Sequence, residues 1–366
     1  MKPVTYETAV PVAQRRPMFL ARRISRRLGS RLLLGALALC LSTTAPAASE
    51  PLEAPHEQLY AVDALADGSG MTAVGTFGAA YHSSDGGKSW TAQNTGVLDP
   101  LFGVALVDSR HAVVVGKSGV ALWTADGGTT WQRSKTGTTK HLFDVAMTDA
   151  ERGFAVGDWG VVLATSDGGA TWTDHSLDAD VVLAAITFSD AHHGWIVGEF
   201  GTILATADGG HTWEPQQAGT EKTLFDVAFL DEHSGWAVGI DGIVLRTRDG
   251  GTTWEVQRGA ASAESLDDLA FQDLLTNPGL YSIAMAGRTG YIVGDTGTVL
   301  VSTDRGETWA PRILPEDVRL LWLRGAAVIP DGLGTLVGAK GLVVRMADGE
   351  LSEPAVGMQY AAGDVR

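Results

Sequence analysis

The chain has 366 residues, with 27 Lys and Arg against 43 Asp and Glu, a formal net charge of −16 and a single cysteine. A surface that acidic repels nucleic acid and anionic lipid headgroups, and one thiol excludes an internal disulfide or a multi-cysteine metal site. The 46 glycines and 11 tryptophans suit short strands and tight turns better than long amphipathic helices.

The first 48 residues differ in kind from the rest. Eight of their nine charged residues are basic, from Lys2 to Arg31, and the apolar run "LLLGALALCLS" and the small-residue site "APA" at Ala45 to Ala47 follow. That is the layout of an export signal, and the apolar run is short for a membrane span. An uncleaved amino-terminal anchor is the competing reading, and Sec and Tat routes both stay open. Cys40 lies within this segment behind Leu39, which is too large for a lipoprotein attachment site. Without residues 1–48 the balance is 19 basic against 42 acidic residues, a net charge of −23. The expected location is the periplasm.

Residues 49–57 read as a linker or as a strand that closes a ring, and from residue 58 to 357 the chain repeats itself. "SSDGGKSW", "TADGGTTW", "TSDGGATW", "TADGGHTW", "RDGGTTW" and "STDRGETW" place Asp85, Asp126, Asp167, Asp208, Asp249 and Asp304 at intervals of 41, 41, 41, 41 and 55 residues. Ten residues before each aspartate stands a glycine in the pattern V-G-x-x-G, which occurs seven times, the last leading to a decayed box at Asp348. A short apolar segment such as "LFDVAM" precedes each one. A fixed period of this size marks a repeat architecture.

Each unit reads as strand a ("LFDVAM"), a polar turn, strand b ("GFAVG"), a two-residue turn, strand c ("GVVLATS"), the box, and strand d beginning at the tryptophan. Four short antiparallel strands make one sheet that cannot bury both faces alone. Seven such sheets around an axis can, which predicts an all-β, seven-bladed β-propeller. In the box, the aspartate accepts hydrogen bonds from its own turn, the glycines accept positive φ, the Ser or Thr two places earlier adds a local bond, and the tryptophan packs beneath. The six box aspartates are therefore read as structural, with no metal or cofactor implied.

The S/T-x-D-x-G-x-T/S-W box is the Asp-box, or bacterial neuraminidase repeat. Combined with V-G-x-x-G ten residues upstream and an L-F/Y-x-V strand opening each unit, it resembles the photosystem II stability and assembly factor family over roughly residues 57 to 350. The resemblance implies a seven-bladed propeller that binds without catalysis. Its photosynthetic members chaperone assembly of the photosystem II reaction-centre protein on the lumenal side of the thylakoid, so a thylakoid lumen is the expected location in a photosynthetic organism. Those members carry a patch of arginines, whereas Arg246, Arg288, Arg305 and Arg324 here are scattered over different strand and turn positions.

In such blades the b-to-c turns and d-to-a crossings share one face of the disc. The V-G-x-x-G turns then present Phe77, Lys117, Asp158, Trp159, Glu199, Phe200, Asp241 and Asp295 as an acidic and aromatic rim, and exposed aromatics serve as interface anchors. Fourteen extra residues before unit six lengthen one crossing on the same face. Within the insertion 260–279, Ser265 and Asp268 fit a helix start, and Leu266, Leu269, Ala270 and Leu274 share a helical face. Leu266 and Phe271 of this short helix join the rim as candidate partner contacts. Residues 358–366 read as a tail.

Asp-boxes also occur in glycoside hydrolases, sialidase-like or glucan-active, and this is the rival reading. A sialidase needs converging arginines and a tyrosine activated by a glutamate; Tyr60 and Tyr281 open a strands and Tyr291 occupies a core-like position. Only Asp158, Glu199, Asp241 and Asp295 could offer the paired carboxylates of a glucan hydrolase. His192 and His193 lie in an a-to-b turn with no companion ligands. The expected activity is that of a monomeric, non-catalytic scaffold, soluble or peripherally attached, that holds a membrane protein or its extracytoplasmic domain during assembly.

Overall fold

The computed structural model describes residues 57–259, 277–352 and 356–357. The export signal, most of the linker before residue 57, the insertion with Leu266 and Phe271, and the tail 358–366 lie outside the described residues. Seven antiparallel sheets are found among the described residues. Their innermost strands touch in a closed circle, each one packing on the next and the seventh on the first. The fold is a seven-bladed β-propeller.

Blade three shows how sequence makes a blade. Strand a is Leu142–Met147, b is Gly153–Gly157, c is Val162–Thr165 and d is Thr173–Asp174, joined in simple a-b-c-d order. Strand b is buried at every position, because blades on both sides cover it, and a strand buried on two faces reads as a continuous apolar run. Val113 and Val115 of blade two pack with Leu142, Val145, Ala155 and Leu163 of blade three. Each of these valines and leucines contributes roughly 1.5–3 kcal/mol by leaving water. Strand d is exposed, as the outer edge of the disc.

The first glycine of V-G-x-x-G is required by close approach. At Gly157 the backbone is extended, and a Cβ would lie 1.9 Å from the carbonyl oxygen of His141, just before strand a. That carbonyl accepts the amide of Asp158 at 3.0 Å, and strand a bulges there, between Leu142 and Asp144. The crossing and the hairpin tip are thus pinned together in every blade by the same backbone contact.

The ring closes with the carboxy-terminal end of the chain. Outside Leu342–Ala347 of blade seven, Glu350–Leu351 and Val356–Gly357 pair in succession with that one strand. Among the described residues these two segments form the outer edge of blade seven; a closing strand from residues 49–57 lies almost wholly outside the described residues.

Candidate functional site: hairpin rim and axial mouth

All six box aspartates turn their carboxylates onto their own turns. Asp167 accepts the Thr165 hydroxyl at 3.0 Å, the Thr171 amide at 2.9 Å and the Thr171 hydroxyl at 2.6 Å, while the Gly169 amide donates to Thr165 Oγ1 at 3.0 Å. In Asp208 the Thr212 hydroxyl and amide hold the carboxyl well below the usual range. The boxes also clasp neighbouring blades: Gln216 of blade four donates to Gly250 O of the next box and accepts the Trp254 indole N–H. Trp236 reaches Gly306 O in the same way. These groups face one another, and none of the bonds points to a ligand.

On the same face as the boxes, Asp190, His193 and Glu232 bring ligand-type atoms within 4.8 Å of one another. Glu232 comes from the next blade, a companion the sequence could not reveal. Asp190 is engaged in closing its own turn through the His192 and His193 amides.

The opposite face carries the V-G-x-x-G tips. The second variable residue of each tip adopts positive φ: 57° at Phe77, 58° at Trp159, 57° at Phe200 and 57° at Asp241. This region favours glycine, and a bulky residue there is uncommon. Backbone handedness drives these side chains outward; Phe77, Trp159 and Phe200 are 49%, 55% and 72% exposed. The neighbouring Lys140 ammonium lies 4.7 Å from the Trp159 ring, and Lys117 is exposed at its own tip.

The rim acids are not free. Asp158 lies 4.0 Å from His141, Glu199 accepts the Val182 amide at 3.2 Å, Asp241 pairs with Lys222 at 3.1 Å, and Asp295 accepts the Tyr281 hydroxyl at 3.1 Å. Each ties a hairpin tip to the crossing or inner strand beside it. Burial, followed by the Asp295 charge, raises the Tyr281 phenol above its ordinary value.

Inside this rim lies a feature that the sequence reading missed. The second residue of strand a is aromatic in five blades: Tyr60, Phe102, Phe143, Phe225 and Tyr281. Tyr60, Phe102 and Phe143 follow one another at ring distances of 5.7 and 5.7 Å. Trp322 stacks on Tyr60 at 6.1 Å, Phe225 meets Tyr281 at 5.3 Å, and the Arg324 guanidinium bridges the two arcs, 4.4 Å from Tyr281 and 5.5 Å from Trp322. Ala184 leaves the single small position of this collar. It surrounds the mouth of an axial cavity of about 610 Å³.

Below the collar the cavity is lined by Asp63, Asp144 and Asp226. Each carboxylate fastens its own blade to the next. Asp63 accepts the Ala64 and Leu106 amides, both at 2.8 Å; Asp144 accepts those of Val145 and Ile186 at 2.8 and 2.9 Å; Asp226 accepts those of Val227 and Ile283 at 2.7 and 2.8 Å. These side chains are half-buried in the wall of the cavity, deep within the ring of blades. Desolvation therefore pushes Asp63 and Asp226 up to about 6. Desolvation and then the Asp226 charge push Asp144 to about 8. One signal in the sequence could have found two of them: Asp144 and Asp226 stand third in two otherwise apolar inner strands, "LFDVAM" and "LFDVAF", whereas Asp63 stands fifth in its own.

A sequence profile described as photosynthesis system II assembly factor YCF48 matches residues 172–222 and 213–317. Residues 172–317 thus carry repeats that match the profile of the photosystem II assembly-factor family. A solved structure described as YCF48 bound to D1 peptide is similar, with a TM-score of 0.62 and 19% identity over 80% of this chain and 94% of that one. YCF48 from Cyanidioschyzon merolae gives 0.62 and 18%, over 80% and 96%. The GH74 xyloglucanase from Xanthomonas campestris reaches 0.64 at 13% identity, over 82% of this chain and 54% of that enzyme. At these identities the likeness establishes the shared propeller fold alone. No curated protein matches the chain significantly.

Among the described residues, Tyr291 and Tyr81 do not assemble the activated tyrosine of a sialidase. Tyr291 is fully buried, donating to Gly332 O at 3.0 Å, and burial pushes its phenol up to about 12. Tyr81 does meet a glutamate, Glu57, but both are buried between blades one and seven.

Proposed function

We propose that this chain is a non-catalytic scaffold that holds a membrane protein, through an extracytoplasmic segment, while its complex assembles. The observation that carries this reading is the exposure of Phe77, Trp159 and Phe200 at backbone positions where glycine is the unstrained choice. A turn alone has no need of a large apolar side chain there, whereas an interface uses such residues as anchors. The repeats shared with photosystem II assembly factors and the similar structure described as bound to a D1 peptide support a polypeptide client. The basic and apolar composition of residues 1–48 supports export to the periplasm or an equivalent lumen, where a monomer needs no cofactor for this work.

Capture from detergent-solubilised membranes tests the proposal. The protein should retain a membrane-protein client, and the triple substitution of Phe77, Trp159 and Phe200 by Ala should lower recovery at least tenfold with the fold intact. Undiminished recovery by that variant would remove the proposed surface. Hydrolysis of sialosides or xyloglucan by the purified protein, lost on Asp158→Asn or Glu199→Gln, would instead make it an enzyme.

A further inference from the structure

Asp63, Asp144 and Asp226 enter one cavity from blades one, three and five, and among the described residues none of them has a cation within ion-pair distance. Their two staple bonds apiece leave further lone pairs on the carboxylate oxygens, since an ionised carboxylate offers about four acceptor sites. A half-buried acid with no counter-ion is costly to ionise. A cation entering along the axis removes that cost and is attracted by the faces of the aromatic collar on its way.

The collar already shows which cation fits. Arg324 lays its guanidinium 4.4 Å from the Tyr281 ring and 5.5 Å from Trp322, without an ion-pair partner among the described residues. A planar guanidinium stacks on aromatic rings and forms paired hydrogen bonds with carboxylates, which a compact ammonium does less well. At about 610 Å³ the cavity has room for a long side chain brought in by a chain lying across the rim.

We propose that the axial cavity is a receptor for an arginine side chain of the partner polypeptide, whose guanidinium passes the aromatic collar and pairs with the carboxylates beneath. The inference rests on the scaffold reading in one respect, that the partner is a polypeptide. Arg324 competes for the same collar, so it acts as a gate that an incoming arginine displaces.

Binding should depend on pH. The charged and titratable groups lining the cavity are Tyr60, Asp63, Asp144, Asp226, Tyr281 and Arg324, and of these the carboxyls titrate in the neutral range. A guanidinium favours their ionised forms, so affinity should rise from pH 5 to pH 8.

The test uses the purified full chain and the acetylated, amidated peptide Gly-Gly-Arg-Gly-Gly, beside the same peptide with citrulline, the neutral isostere of arginine. Calorimetry or ligand-observed NMR should show the arginine peptide binding at least tenfold more tightly than the citrulline peptide. Phe102→Ala should weaken it about tenfold, and Arg324→Ala should strengthen it. The Arg324 variant removes no staple between blades, so its result stands even if Asp144→Asn folds poorly. Equal binding of the two peptides, no binding of either, or weaker binding by Arg324→Ala would overturn the proposal. Loss of peptide discrimination while tip-dependent client capture persists would sink the axial site alone. Discrimination without any tip-dependent capture would sink the scaffold reading alone.

Discussion

The carboxylate of Asp144, on the inner strand of blade three, accepts the backbone N–H of Ile186 in blade four at 2.9 Å. The bond joins two blades at the axis, and it does so with a carboxyl whose proton is held up to about pH 8 by desolvation and by the charge of Asp226.

Stability should therefore fall as pH rises. For a carboxyl with a folded pKa above its unfolded value, the folded state binds the proton more tightly, so the cost of ionisation begins above about pH 4 and is complete only above the folded pKa. Asp63 and Asp226 contribute up to about pH 6 and Asp144 up to about pH 8. At about 1.4 kcal/mol per pKa unit, thermal unfolding between pH 5 and pH 8.5 should show Tm dropping by several degrees. Asp144→Asn, which keeps one acceptor oxygen and loses the other, should lie below the wild type at pH 5 and close the gap by pH 8.5. A wild-type Tm that climbs over this range would contradict the assignment.

The box aspartates should act with the opposite sign and without a ligand. Their carboxyls are held below the ordinary range, as in Asp167 and Asp208, so their contribution is present above about pH 4 and lost in acid. Removing the Asp167 carboxylate by Asp167→Ala frees the Thr171 amide and two hydroxyls. By analogy with helix caps the cost is about 1–2 kcal/mol, measurable by urea unfolding. Calcium and chelator should leave both proteins unmoved.

At the rim, stability and binding should separate. Phe200 has φ 57° and is 72% exposed, a conformation that costs a non-glycine residue about 1–2 kcal/mol. Phe200→Gly relieves this, less the extra entropy of an unfolded glycine, and should raise Tm by about 1–2 °C while lowering client capture. At Gly157, two residues before Trp159, Gly157→Ala should prevent folding, because its Cβ would enter the His141 carbonyl. Soluble yield and circular dichroism distinguish the two outcomes.

Between blades five and six, Glu307 accepts Arg246 Nη1 and Nη2 at 2.6 and 2.5 Å. Arg246 is buried, with its guanidinium 5.3 Å from the Trp236 ring. Glu307 is half-exposed, so Glu307→Ala, which removes the partner of the buried guanidinium, should cost about 1–2 kcal/mol. Arg246→Met in the same background should recover most of that loss in chemical denaturation.

The spacing of the boxes and of V-G-x-x-G determined the repeat, its count of seven, the order of strands and the face on which the tips emerge. These are local or nearest-neighbour properties: a turn needs its own aspartate and glycine, and a blade needs the next one to cover it. The export signal and the inserted helix lie outside the described residues. The sequence gathers the acids of the rim but not their partners: Asp158, Asp241 and Asp295 are tied to His141, Lys222 and Tyr281, because the crossings and inner strands run beside the tips. What only the tertiary structure decided is the axis. Phe102 and Phe143 stand 41 residues apart in the chain and 5.7 Å apart in space, and Asp63, Asp144 and Asp226 share a cavity only once the seventh blade meets the first. Ring closure turns one position in each repeat into a circle of neighbours, and no stretch of sequence contains that circle.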